Sequence, residues 1–283
     1  MNVFQRTSKV RTRKSLQRKF WLFFGLAALL VVFALAAPFV TPNDPNATNA
    51  AIRGMGPMAG YPLGTDLYGR CVLSRIMIGA RTSIFSAVIL VVISFAAGTL
   101  LGLLSGWFGG IADTVIMRIC DLLLAFPQMV LAIAVAGVLG GSLVNAMIAL
   151  GITGWTLYAR LARAHTLAIK KEPFVIAARL NGCSSLQILV RHILPNIVGP
   201  LVVNAATQLG TNMIGIAGLS FLGLGVVPPQ AEWGSMINES RAYLQLAPWS
   251  VLAPAAAVIL TVMVFNYLGD AVRDLMDVSE VKA

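Results

Sequence analysis

The residues of this chain that could do chemistry are few, and their spacing argues against catalysis. His165 and His192 are the only two histidines. Ser220, in the run Gly218-Leu219-Ser220, could evoke an intramembrane serine nucleophile, which needs a base at hydrogen-bond distance. Both histidines fall in a polar stretch that a long apolar block separates from it, so Ser220 reads as a small packing residue. No Gly-x-x-x-x-Gly-Lys-Ser/Thr occurs and no lysine follows a glycine, which excludes a P-loop. Cys71, Cys120 and Cys183 lie far apart without a Cys-x-x-Cys pair, so neither a disulfide framework nor a zinc site is indicated. Asp113 and Asp121 flank Arg118, and Asp270 and Asp274 flank Arg273. Both sets sit at the ends of apolar blocks, where local ion pairs or subunit contacts suit them better than a midplane proton relay. The expected catalytic, cofactor-binding and metal-ligating residues are therefore none.

What must be positioned is a membrane body. Of 283 residues 58% are hydrophobic and 11% charged, against roughly a quarter charged in a soluble domain. Phe20 to Val40 is apolar throughout and follows a basic tail, long enough for one crossing at roughly 20 residues. Ala34-Leu35-Ala36 mimics a signal-peptidase site, but the length of the run and the spans that follow favour an uncleaved anchor. Further spans are expected at Thr82–Gly110, from near Cys120 to Leu139, at Leu143–Leu161, at Ile197–Gly218 and at Ala247–Leu268, with Gly140-Gly141-Ser142 as the break in a long uncharged run. The fold class is thus all-α with six transmembrane helices. Two units are expected: residues 1–81 (tail, first helix and outer segment) and a five-helix core, 82–283, carrying a polar loop at 162–196.

Lysine and arginine placement sets the orientation. With the N-terminus inside, sixteen of the 21 basic residues fall on inside segments and five (Arg53, Arg70, Arg75, Arg81, Arg241) outside. N-in/C-in follows, and the net charge of +10 is explained by topology without a nucleic-acid partner. The best-patterned polar stretch, Lys170 to Asn196, is then cytoplasmic. Glu172-Pro173 can open a helix. Phe174, Ala177, Ala178 and Asn181 recur at helical spacing on one side, and Asn181-Gly182 is a stop that tolerates a left-handed cap. Ser184 with Gln187 reads as a capping box for a second helix. Two short helices joined at a glycine look like a docking element.

This combination resembles the permease subunits of ATP-binding-cassette importers of the dipeptide/oligopeptide/nickel group, and more narrowly the second of their two permeases. The family's Glu-Ala-Ala loop is matched by Ala177-Ala178, Gly182 and Leu194-Pro195, with Ile176 standing where its glutamate would be. Leu63-Gly64-Thr65-Asp66 with Gly69-Arg70 resembles the signature after the first span, Cys71 replacing an acid. Ser220 to Gly225, Pro228-Pro229 and Glu232-Trp233-Gly234 resemble the segment between the fifth and sixth spans. Asn266, Gly269-Asp270 and Arg273-Asp274 resemble the ending.

The resemblance implies a type I importer permease of the bacterial inner membrane. It would form half of a pore with a homologous second permease, served by two ATPase subunits that carry ATP and Mg and by an extracytoplasmic substrate-binding protein. Glu172, Phe174, Ala177, Ala178, Gly182, Leu194 and Pro195 would then form the ATPase-coupling loop. The outer segments, with Asp66, Arg70, Glu232 and Trp233, would be candidates for binding-protein or gate contact, although Trp233 also suits an interfacial anchor. Cargo stays open between peptides, nickel or a nickel chelate, and glutathione. The competing class is a stand-alone secondary transporter or channel.

Overall fold

The computed structural model describes residues 13–280, with side-chain surroundings for residues 14–276. Arg6, Lys9 and Arg11 of the basic tail, and Lys282, lie outside the described residues. Among those residues the chain is helical and without strands. In order they are α1 (Arg13–Val40), α2 (Val72–Phe108), α3 (Gly110–Leu124), α4 (Gln128–Leu139), α5 (Leu143–Ile169), α6 (Pro173–Leu180), α7 (Ser185–Ile188), α8 (Leu194–Phe221), α9 (Trp233–Ser240) and α10 (Trp249–Glu280). Leu189–Ile193 is a π-helical turn fusing α7 to α8.

Four stretches are long and apolar enough to cross a membrane: α1, α2, the fused α7–α8 and α10; a fifth results if α3 and α4 count as one broken span. The expected fourth span, α5, is 27 residues long, but Asn145, Arg160 and Arg163 dilute its apolar run. The expected third span is not straight. It turns through 89° between α3 and α4, because Pro127 has no N–H for the preceding turn and its ring crowds that turn's carbonyl. The second span starts ten residues earlier than expected, since Val72 to Arg81 continues the same helix. At 37 residues, α2 is about 55 Å long at 1.5 Å per residue. It ends where Gly109 and Gly110 (φ +67° and +58°) take a left-handed turn open mainly to glycine.

The most extensive helix pair is α2 with α5, and glycine makes it possible. Gly98, Gly102 and Gly106 form one ridge along α2. A Cβ at Gly98 would collide with the Trp155 carbonyl, one at Gly102 with the Ala159 carbonyl, and one at Gly106 would lie 2.8 Å from Thr166 Cβ. From the other side, a Cβ at Gly154 would come within 2.8 Å of Ser94 Oγ. Small residues at this spacing let backbones approach where dispersion, not water exclusion, must hold helices together. A similar contact joins α8 to α10, where Gly269 fits against the backbone of Ala206 and Thr207.

The buried residues form two clusters. One, including Ile84, Leu150, Met213, Ile216, Leu219 and Phe265, joins α2, α5, α8 and α10. The other, including Trp107, Tyr158, Val175, Ile188, Ile193 and Ile197, lies at the end of α2 near α6 and α7. Helix α1 belongs to the same body: Ala27, Ala34 and Ala37 are buried, Phe23 stacks on Tyr267 with centroids 5.0 Å apart, and Lys19 Nζ donates to Asp274 Oδ2 at 3.1 Å. Of the triplet that mimics a cleavage site, Ala34 is thus packed into the fold, while Leu35 is half exposed.

Enlarging the ridge should separate α2 from α5. Gly102→Leu is expected to lower the melting temperature of the purified chain in detergent, at a cost of about 1–3 kcal/mol for overpacking. Gly25→Leu, whose new Cβ would have no neighbour within 4 Å, should leave it unchanged. Equal melting temperatures for the two variants would remove the ridge from the account.

Candidate functional site

At one end of the molecule lies the loop 162–196. Glu172 is the N-cap of α6 with Pro173 in its first turn, where proline's missing N–H costs nothing. The helix ends at Asn181, and Gly182 (φ +80°) supplies the left-handed turn expected of it. The capping box is present in full: the Gln187 N–H donates to Ser184 Oγ and the Ser184 N–H donates to Gln187 Oε1 at 2.8 Å. Only Val175 and Ala178 of α6 are buried. The face picked out by spacing is therefore mostly turned outward, with Phe174, Ala177 and Asn181 exposed and Ala178 alone packed inside. Leu180 and Leu186 are 83% and 71% exposed, and Ile176 is half exposed. Leu194 and Pro195 form the first turn of α8, so the loop runs into that span without a flexible joint.

Trp107, at the end of α2, ties the loop to the frame. The Arg179 guanidinium lies 4.9 Å from the centre of the Trp107 ring, a cation–π contact. Lys170 Nζ donates to the Trp107 carbonyl and stands 5.4 Å from the ring. Nearby, Arg163 holds Asp113 with both nitrogens, Nη2 to Oδ2 at 2.7 Å, and Arg160 holds Asp121 at 2.6 Å. The pairs expected within the third span therefore form across helices, from α3 to α5. The Arg160–Asp121 pair is about half exposed on both sides, where such a bridge adds little.

At the opposite end, the residues assigned to outside contacts are interior. Asp66 Oδ1 accepts from the Tyr68 and Arg70 N–H groups at 2.8 and 3.0 Å, and Arg70 Nε donates to Asp66 Oδ2 at 2.6 Å. Glu239 Oε2 receives Arg70 Nη2 at 2.7 Å and Arg75 Nη2 at 3.1 Å. Arg75, fully buried, also donates to the Pro229 carbonyl at 3.1 Å. Thus Arg75, absent from the expected set, sits at the centre of a clasp joining the 64–75 segment to α9 and to the loop before it. Only a helix periodicity carried back through Val72 would have signalled it.

Glu232 caps α9: its Oε2 accepts from the Ser235 N–H at 2.8 Å and Oε1 from Ser83 Oγ at 3.1 Å. Burial pushes its carboxyl above the usual range, against the pull of the Gly234 and Ser235 N–H groups. Trp233 is buried and its Nε1 donates to the Ile76 carbonyl at 3.0 Å. It is not an interfacial anchor in this conformation, and none of the four expected contact residues is available to another protein. Exposed side chains in the same outer segments include Met55, Tyr68 and Tyr243.

Comparison with known proteins agrees with this geometry. Residues 98–279 match the family described as "Binding-protein-dependent transport system inner membrane component". The chain is 40% identical over 247 residues to the dipeptide transport system permease protein DppC of Alkalihalophilus pseudofirmus, covering 87% of this chain and 81% of that one. It is 46% identical over 250 residues to the glutathione transport system permease protein GsiD of Escherichia coli, with coverage of 88% and 82%. With the probable D,D-dipeptide transport system permease protein DdpC of E. coli it shares 37% over 290 residues, 98% and 97% of the two chains. Among solved structures, the inward-facing MetNI methionine ABC transporter matches with a TM-score of 0.56 at 19% identity, over 72% of this chain and 97% of that one; this likeness speaks to the fold, the type I importer permease arrangement. The chain belongs to the inner membrane components of binding-protein-dependent transport systems, as a permease of the DppC/GsiD kind.

Proposed function

We propose that the chain is the transmembrane subunit of an ATP-driven importer of short peptides, and that loop 162–196 is where one of two partner ATPases delivers force. The observation that carries this reading is the loop's construction. It presents exposed apolar side chains (Phe174, Ile176, Leu180, Leu186) on two short helices fixed by a left-handed glycine, a capping box and the Trp107 contacts. An exposed apolar patch on a rigid mount fits a partner surface better than water. ATP and Mg would reside on those partners.

In this reading a second, homologous permease completes the pore, and an extracytoplasmic binding protein delivers cargo to the clasp end. The α3–α4 pair and α5 count as the third and fourth of six spans, N-in/C-in, in a bacterial inner membrane. The first helix with its outer segment, 1–81, is an addition to a five-helix core, 82–283, although it packs on that core and α2 runs across the boundary from Val72. The relatives named for dipeptide, D,D-dipeptide and glutathione transport favour peptides over nickel as cargo. The clasp residues Asp66, Arg70, Glu232 and Trp233 act from within, holding the surface on which a binding protein or gate would bear. Alternating access is then a rigid-body switch between two packings of the spans.

Two substitutions test the loop. Gly182→Val forces a β-branched residue into the left-handed region, which should misplace α6. In proteoliposomes holding the assembled importer, peptide uptake is expected to fall to background, and normal uptake with normal ATPase co-purification would contradict the coupling role. Leu180→Asp puts a charge on the exposed patch. It should release the ATPase subunits during affinity purification while leaving the chain's own melting temperature unchanged, and undiminished co-purification would place the ATPase contact elsewhere.

A further inference from the structure

The middle of α8 carries a polar face that the apolar average of this span conceals. Asn204, Thr207, Gln208 and Thr211 fall at i, i+3, i+4 and i+7, one side of a helix. Thr207 and Thr211 are exposed and Asn204 and Gln208 half-buried. Gln208 sits halfway along the 28 residues of α8. There it shares a cavity of about 230 Å³ with Gln128, the first residue after the α3–α4 break, and with Thr153 of α5. The Thr153 hydroxyl bonds to its own helix, donating to the Leu150 carbonyl at 3.2 Å. Neither glutamine side chain has a hydrogen-bond partner among the described residues.

Two unpartnered primary amides at mid-span are costly against hydrocarbon, where no water replaces the missing bonds. Such groups are tolerated where they face a water-filled cavity or another chain. Towards the loop end the same face of α8 continues into a second cavity of about 360 Å³, whose lining Asn204 and Thr207 share with His165 of α5 and with Asp270 and Arg273 of α10. The two cavities therefore lie along one polar track.

We propose that this track lines the cargo path, and that Gln128 and Gln208 hold the backbone amide groups of a passing peptide. No formally charged side chain lines the mid-span cavity, so a metal cation or a free carboxylate would meet no counter-charge there. A carboxamide offers both a donor and an acceptor and matches a peptide bond, which offers the same pair. The proposal rests on the peptide-importer reading, extending it from cargo class to the side chains that touch the cargo.

The test uses the complete importer, with its second permease, ATPases and binding protein, in proteoliposomes and in a Cys183→Ser background. Gln208→Cys and Thr211→Cys should react with a charged, membrane-impermeant thiol reagent, more slowly while a dipeptide is being imported. Leu260→Cys, on the exposed apolar side of α10, should not react. Gln208→Leu and Gln128→Leu should each lower dipeptide uptake about tenfold, the size of one lost hydrogen bond at its upper range, while the complex still assembles. If Gln208→Cys and Thr211→Cys stay unreactive, the track does not line a water-filled path, whatever the cargo. If they react but both leucine variants import at the wild-type rate, the amide contact is wrong. If the wild-type importer moves no dipeptide at all, the peptide reading falls and takes the amide assignment with it, while reactive cysteines would still place the track on the path.

Discussion

The close contact of α2 with α5 is the constraint from which the rest of the structure hangs. Lipid tails are as apolar as leucine, so burying apolar surface between two spans gains little over leaving it in lipid. Attraction has to come from many short-range dispersion contacts, which fall away within an ångström of separation. Gly98, Gly102 and Gly106 bring the α2 backbone against the carbonyls and small side chains of α5 and so fix the two as one unit. Because α2 is unbroken from Val72 to Phe108, that unit has a functional group at each end: Trp107 gripping the loop, and Arg75 at the centre of the clasp. In the proposed coupling role, a displacement entering at α6 would pass to α2 through the Trp107 contacts and along that unbroken helix to the clasp.

The clasp shows how the chain handles charge at the far end of this strut. Removing arginine and carboxylate from water is expensive, and the pairing offsets that cost only when hydrogen bonds are nearly complete. Here two guanidinium groups share Glu239 Oε2 and Asp66 is satisfied by backbone and Arg70 together, while Glu239 Oε1 is buried without a partner among the described residues. Such a network adds directionality more than stability. It specifies one position of the 64–75 segment relative to α9, which a purely apolar contact would leave free to slide.

Much of the loop was legible in the sequence because its signals are local. A proline after Glu172, a glycine after Asn181 and the Ser184/Gln187 pair each act within one turn of backbone, and each is realised as read. The all-helical class was legible from composition, whereas of the six expected spans only four stretches are long and apolar enough to cross, or five with α3–α4 taken as one. What could not be read was anything set by contacts distant in sequence. Arg70 and Arg75 look like surface cations until Glu239, more than 160 residues away, is folded against them. Trp233 looks like an interfacial anchor until the Ile76 carbonyl takes its N–H. The α3–α4 bend was signalled by Pro127 but hidden in a long uncharged run, where the glycine pair at 140–141 offered the more conspicuous break. The spacing in α6 gave the right helix, while its inward side is set by Val175 and Ala178 meeting the second core cluster.

The central claim is that loop and strut move as one body, and an electron-spin distance measurement between them tests it most directly. Spin labels would replace Val190 in the loop, outside the apolar patch, and Val92 on α2, both exposed, in the assembled importer. The account predicts the same distance distribution in the resting and the nucleotide-trapped states, however much the permeases rearrange around it. A distribution that shifts between those states would show the loop moving independently of α2, and would contradict the account.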